Sequence, residues 1–235
     1  MKVSIIVPVY NEERDLGSTL EKVLNLKFDA PIESFEVIVV NDASTDGSSE
    51  VIDNLEKKYP ELLKLTHSVN SGKGAALKTG IECAKGDFVA FQDSDAELDP
   101  FDLPELVKQM IIHDVEFANG SRYLPGLIRQ TYAYKRYMLN KIFSNLVSFL
   151  LNVRITDLAC GHKVISKNLL SQFEITEERF GVEAEVVIKV LKLRKNSVIE
   201  VPVNYFPRNY GEGKKFQNVD GIRVLFAIFK YSLFG

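Results

Sequence analysis

Short runs of Val, Ile, Leu and Phe at residues 3–9, 35–41, 62–67 and 87–93 alternate with amphipathic stretches at 12–25, 47–58 and 73–84. Runs of this length suit strands, and strands separated by helix-length stretches are joined by crossovers that place them parallel. The alternation predicts an α/β fold with a mostly parallel central sheet and helices on both faces. Ligands of such sheets gather at the carboxyl ends of the strands. Those ends are polar here: Tyr10-Asn11-Glu12, Asn41-Asp42, Ser68 to Gly74 and Asp93 to Glu97. Beyond Pro100 the pattern predicts a helix near 102–113, a strand at 115–121, a long apolar helix at 136–151 and a strand near 162–166. Helices around 181–194 and 218–234 then flank a strand at 198–206. No linker, repeat or low-complexity tract breaks the series, so a single domain over 1–235 is expected.

The composition, 46% hydrophobic and 26% charged over 235 residues, supports a large core. A net charge of -3 gives no bulk reason to bind nucleic acid. Cys83 and Cys160 show neither zinc-site nor disulfide-framework spacing, which points to a reducing cytoplasm. The opening MKVSIIVPVY is too brief for a signal peptide's apolar core, and no segment reaches the roughly 18 apolar residues of a membrane span. The expected location is the cytoplasm, with any membrane contact peripheral and on its cytoplasmic face.

In FVAFQDSDAELDP at 88–100, side-chain alternation can bring Asp93 and Asp95 to one side of a strand end. Paired carboxylates suit a hard divalent cation holding a substrate's phosphates, although Asp-x-Asp also occurs in solvated turns. Glu12 opens a helix, where the macrodipole favours an acid. No glycine follows the first strand, which argues against a dinucleotide fingerprint and dehydrogenase chemistry. In VNDASTDGS, Ser44 or Thr45 can cap the next helix with Asp46 in its first turn, leaving Asp42 to accept from a nucleobase N–H. NSGKGAALKTG lacks P-loop spacing; Gly72, Lys73 and Gly74 form either a phosphate-binding helix start or a tight turn with a solvated lysine. Arg122 in GSRY is either a phosphate clamp or a surface charge. RNYGEGKK at 208–215 is either a basic lid or a solvated run. The 130–153 segment, with Lys135, Arg136 and Lys141 before a wide apolar face, suits a core helix or an interfacial helix on anionic lipid.

Taken in order, VPVYNEE, NDAST-D, NSGKG, DSD-x-E, GSRY, TD-x-x-x-G-x-K, FG-x-E-x-E and R-x-x-GEGKK resemble the family 2 glycosyltransferases, specifically the branch of dolichyl-phosphate mannose and glucose synthases. The resemblance implies the GT-A fold, a metal-dependent nucleotide-sugar site and inversion at the anomeric carbon. It assigns 1–100 to the nucleotide-sugar half and 101–235 to the acceptor half, with interface helices. By the same resemblance Pro8, Tyr10, Glu12, Val40 and Asp42 hold the nucleoside. Asp93, Ser94 and Asp95 form the motif for Mg²⁺ or Mn²⁺, and Glu97 stands where mannose synthases carry a metal-contacting Gln. Arg122 and Arg136 match arginines near the phosphates, and Arg208 and Lys214 match the loop covering the donor diphosphate; Lys73 is a further candidate for those phosphates. Three positions depart from the pattern: His162 replaces an aromatic residue, Asn140 a small serine and Gly181 a lysine, which leaves the donor sugar and acceptor open.

The reaction so implied transfers a hexose from a UDP or GDP sugar to a polyprenyl phosphate, releasing the nucleoside diphosphate. A phosphate monoester, with a second pKa near ~6, is largely dianionic at neutral pH and needs no base. A sugar hydroxyl, the alternative acceptor, needs a carboxylate, for which Asp157, Glu183 and Glu185 are candidates. A non-catalytic nucleotide-sugar binder would have lost its metal acids, and Asp42, Asp93 and Asp95 are all retained.

Overall fold

A computed structural model describes residues 1–126, 134–208 and 218–234, the side chains of Asn218 and Val219 apart. Strands β1 (Lys2–Val9), β2 (Ser34–Asn41), β3 (Leu62–Thr66) and β4 (Phe88–Phe91) alternate with helices α1 (Glu13–Leu24), α2 (Ser48–Lys58) and α3 (Lys73–Cys83). The second half supplies α4 (Leu103–Ile112), β5 (Phe117–Ser121), α5 (Tyr134–Leu151), β6 (Lys163–Ser166), α6 (Lys167–Leu170), α7 (Val182–Arg194), β7 (Val198–Pro202) and α8 (Asn218–Phe229). The strands form one seven-stranded sheet in the order β3-β2-β1-β4-β6-β5-β7, in which only β6 runs antiparallel to its neighbours. The expected mostly parallel α/β sheet is therefore present.

The pleat of β1 shows how the layers are sorted. Val3, Ile5, Val7 and Val9 join the core that includes Leu16 and Leu20 of α1 and Leu106 of α4, whereas Ile6 joins the core on the other face, with α3, α5 and α7. A strand buried on both faces carries apolar residues throughout, which explains the uninterrupted run in the sequence. Helix α3 comes close to the sheet because Gly80 has no side chain: a Cβ there would lie 2.4 Å from Ile6 Cγ2. The chain moves outward from β1 through β2 to β3, then returns to place β4 on the other side of β1. That reversal opens a crevice beyond the carboxyl ends of β1 and β4.

Several boundaries differ from expectation in ways that shape this crevice. Strand β4 stops at Phe91, so Asp93 and Asp95 belong to the following turn, and strand alternation does not set their directions. Ala96, with φ 56, bends that turn. Helix α2 begins at Ser48 with Gly47 before it, and neither Ser44 nor Thr45 caps it. Ser44 Oγ instead accepts from Asn11 N, and Thr45 N donates to Asn11 Oδ1, tying the turn after β2 to the turn after β1. Strand β7 ends at Pro202, which has no N–H to extend the ladder; Tyr205 beyond it makes an isolated bridge with Leu98.

Candidate active site

A cavity of about 850 Å³ occupies the crevice. One end is acidic. Asp93 follows β4, and the backbone of Gly161 lies against it so closely that a Cβ at Gly161 would fall 2.0 Å from Asp93 Oδ2. Lys73, the first residue of α3, places its Nζ 2.5 Å from Asp93 Oδ1 and 2.5 Å from Glu183 Oε1. It is neither a solvated lysine nor a ready phosphate ligand. Burial works against the Lys73 charge, but Asp93 and Glu183 outweigh it and raise the lysine's pKa. Asp93 is held below the usual carboxylate range: burial opposes the charge, and Lys73 prevails.

Asp95 behaves in the opposite way. Burial, then the negative charges of Asp93 and Glu97, push its carboxyl up to about 7, with Arg208 only partly compensating. This surplus of negative charge is what a divalent cation would relieve, so the Asp93–Asp95 pair fits such a cation. No group of three metal-ligating side chains converges among the described residues. Glu97 accepts from Tyr205 Oη at 3.1 Å and from the Arg208 backbone N at 3.0 Å. It thereby fastens the chain beyond β7, and it lines the cavity beside Asp95.

The turn bearing the aspartates is supported from beneath. Gln92 Nε2 donates to the carbonyls of Asp93 and Leu98, while Gln92 Oε1 accepts from His162 Nε2 at 2.8 Å. Burial pushes the His162 pKa down to about 3, so the ring is neutral at pH 7. His162 thus belongs to a polar brace beneath the turn that carries Asp93 and Asp95.

Beyond the ends of β1, β2 and β4, Pro8, Tyr10, Glu12, Asp42 and Ser94 line the cavity. Val40 is fully buried in the core beside α3 and does not line it, contrary to expectation. Asp42 Oδ1 accepts from His67 Nδ1 at 2.8 Å and Ser71 N at 2.8 Å, and Oδ2 accepts from Gly72 N at 2.7 Å. Asp42 therefore folds the 68–72 turn as well as facing the cavity. The N-terminus of α3 is not an open phosphate cradle. Gly74 N and Ala75 N both donate to the Glu178 carbonyl, at 2.8 and 3.2 Å, and a Cβ on Gly74 would collide with Glu177 O.

Arginines close the other sides. Arg122 Nε and Nη2 donate to Asp157 Oδ2 and Oδ1 at 2.7 and 2.8 Å, and its guanidinium stacks 5.0 Å from the Tyr205 ring centroid. Asp157 is wholly buried, does not line the cavity and accepts additionally from Arg122 N. It holds Arg122 in place, and the expected role as a base does not fit its position. Glu200 accepts from Thr156 N and Asp157 N and so shapes the turn behind that clamp. Glu185, also fully buried, accepts from Thr176 N and Glu177 N and is no base either. Arg136 and Asn140 of α5 line the cavity, and Asn140 Oδ1 accepts from Ala159 N. Arg208 reaches across to the first half, with Nη1 2.9 Å from Glu12 Oε2 and 3.3 Å from Asp15 Oδ2, and Nη2 3.2 Å from Asp95 Oδ2. Lys214 lies outside the described residues. Sequence reasoning missed His67, Glu200, Tyr205, Arg179 and Arg223; single polar residues far from their partners in the chain carry no spacing signal.

Toward α5 and α8 the apolar and aromatic side chains of Tyr134, Tyr137, Leu139, Phe143 and Val224 line the cavity, interleaved with Arg136, Asn140, Asp220 and Arg223. These two helices pack together and present large exposed apolar side chains, including Phe149 at 84%, Ile222 at 71% and Phe226 at 70%. Among the described residues no helix is long and apolar enough to cross a membrane.

Comparison with known proteins agrees with this architecture. The sequence model described as glycosyl transferase family 2 matches residues 4–173. Glycosyltransferase AglD of Haloferax volcanii is 27% identical over 211 residues, covering 88% of this chain and 34% of that protein, so the chain spans about a third of that relative. Dolichyl-phosphate beta-glucosyltransferase ALG5A of Trichomonas vaginalis is 28% identical over 99% of this chain and 73% of its own length. Undecaprenyl-phosphate mannosyltransferase of Micrococcus luteus is 27% identical over 96% of this chain and 92% of its own length. A solved structure of glucosyl-3-phosphoglycerate synthase from Mycobacterium tuberculosis, in complex with Mn²⁺, UDP and glucosyl-3-phosphoglycerate, superimposes with a TM-score of 0.75. It is 20% identical and covers 98% of this chain and 80% of that one, which establishes the shared GT-A fold.

Proposed function

Because the chain belongs to glycosyl transferase family 2, we propose that it transfers a hexose from a UDP or GDP sugar to a polyprenyl phosphate, with inversion and with the help of Mg²⁺ or Mn²⁺. The observation that carries this reading is one cavity with a cation-seeking acid pair at one end and, at the other, apolar side chains interleaved with arginines between two helices that expose apolar residues. An amphiphilic acceptor fits that polarity. The names of the two relatives matched over nearly the whole chain point the same way.

Asp93 and Asp95 would hold the cation, which when bound neutralises charge developing on the departing nucleoside diphosphate. Lys73 fixes Asp93 in its ionised form and in one position, so the site is set before the donor arrives. Arg208, already among Glu12, Asp15 and Asp95, is placed to turn its charge toward the donor phosphates. Arg122, locked by Asp157 and stacked on Tyr205, offers a rigid positive edge to the acceptor phosphate, with Arg136 nearby on the wall. A phosphate nucleophile needs no base. This suits a cavity that, of the candidate bases, only Glu183 lines, and Glu183 is paired with Lys73. The same feature disfavours a sugar hydroxyl as acceptor.

Helices α5 and α8 would lie in the membrane interface and bring the lipid-borne acceptor to the mouth. The function is tested by incubating the protein with radiolabelled nucleotide sugars, short-chain polyprenyl phosphate and Mn²⁺, then partitioning into organic solvent. Label should enter the organic phase only with a divalent cation present. Label transferred solely to soluble glycans, or none transferred with any sugar nucleotide, would refute the reading.

A further inference from the structure

We propose that Arg179 is a phosphate-binding residue for the acceptor, a role that rests on the polyprenyl-phosphate reading above. The basic side chains around the cavity are otherwise engaged: Lys73 by Asp93 and Glu183, Arg122 by Asp157, Arg208 by three acids and Arg223 by Asp220. Arg136 too has contacts of its own. Arg179 lines the same cavity, yet its guanidinium forms no ion pair or hydrogen bond with the described residues.

Its base, by contrast, is anchored. The Arg179 carbonyl accepts from Val182 N at 3.2 Å just before α7, and the preceding Glu178 carbonyl is bound by the first turn of α3. The aliphatic stem lies over Gly72, where φ is 98° and a Cβ would fall 2.9 Å from Arg179 Cγ. Gly72 has no side chain to contest that space, so the stem is laid down while the charged head remains available.

The location selects the ligand. Gly72, whose N–H is held by Asp42, immediately precedes Lys73, which grips Asp93 at the acidic end, while Phe180, next to Arg179, lines the cavity on the way to the apolar side chains of α5 and α8. A guanidinium at this boundary meets a phosphate whose attached chain runs toward α5 and α8. That is the chemistry of an amphiphilic phosphate monoester. A donor diphosphate would instead be drawn to the acid pair and Arg208. A planar guanidinium can bind two phosphate oxygens at once, and its charge persists at any working pH.

The test titrates the full chain and its Arg179→Gln and Arg179→Lys variants calorimetrically with farnesyl phosphate and with farnesol. Nucleoside diphosphate with Mn²⁺ is titrated separately, and vesicles of phosphatidylglycerol or phosphatidylcholine are tested by flotation. Arg179→Gln should weaken farnesyl phosphate binding about tenfold or more, with Arg179→Lys intermediate and the affinities for farnesol, nucleotide and vesicles changed by less than about twofold. Equal farnesyl phosphate affinity in all three proteins overturns the assignment and leaves the acceptor reading intact. Parallel weakening of the nucleotide makes Arg179 a donor ligand and overturns it, as does a loss confined to phosphatidylglycerol vesicles, which would mark a bilayer contact. A wild-type protein that binds nucleotide with Mn²⁺ but ignores farnesyl phosphate refutes the acceptor reading and this assignment together.

Discussion

Asp95 and Asp157 show how two carboxylates in one site take on opposite tasks. Asp95 is crowded by acids and titrates at about 7, against 3.8 for an unperturbed aspartate. Between those values the folded protein binds more protons than the unfolded chain, so this group's contribution to stability is present below pH 4 and is lost as pH rises toward 7. Thermal melts without metal should therefore show wild type losing ground to Asp95→Asn across that window, and Mn²⁺ should raise the melting temperature of wild type but not of the variant. Asp157 is paired with Arg122 in full and away from the cavity. Asp157→Asn leaves the arginine buried with a weakened partner, so a loss of about 3 kcal/mol in urea unfolding is expected, accompanied by lower turnover. A catalytic base would give a different signature: turnover lost with the unfolding midpoint unchanged.

At the scale of elements, the glycine-rich entry to α3 shows what a local motif leaves undecided. A glycine–lysine–glycine turn before a helix can cradle phosphate. Here the Glu178 carbonyl takes the first N–H groups, and the glycines exist because that backbone passes too close for a side chain. The long helix at 134–151 buries Phe143 and Val147 in the core while Ile142 and Phe149 face outward. On α8, Ile222, Phe226 and Phe229 continue the exposed apolar surface at helical spacing. Replacing Ile222 and Phe226 together by Ser should cut co-flotation with anionic vesicles at least tenfold, since each apolar side chain moved into the interface contributes about 1.5–3 kcal/mol. The melting temperature should hold, because both side chains are exposed in the free protein.

Across the whole molecule, Arg208 ties the second half to Glu12, Asp15 and Asp95 of the first. Arg208→Ala leaves the buried Glu12 carboxylate without this cation, so the melting temperature should fall, by about 3 kcal/mol of stability, and the Michaelis constant for the nucleotide sugar should rise. An unchanged melting temperature would show that the tie carries no load between the halves.

The sheet and its layers were readable along the chain because each strand and helix announces itself through local periodicity, and the polar strand ends marked the crevice for the same reason. The acid pair, Arg122 and Arg208 were visible as motifs. Which charge meets which was not. Asp42 with His67, Lys73 with Asp93 and Glu183, Asp157 with Arg122 and Glu97 with Tyr205 all join residues far apart in sequence. A side chain's role in a low-dielectric crevice is set by its nearest charges, and only the folded chain brings those charges together.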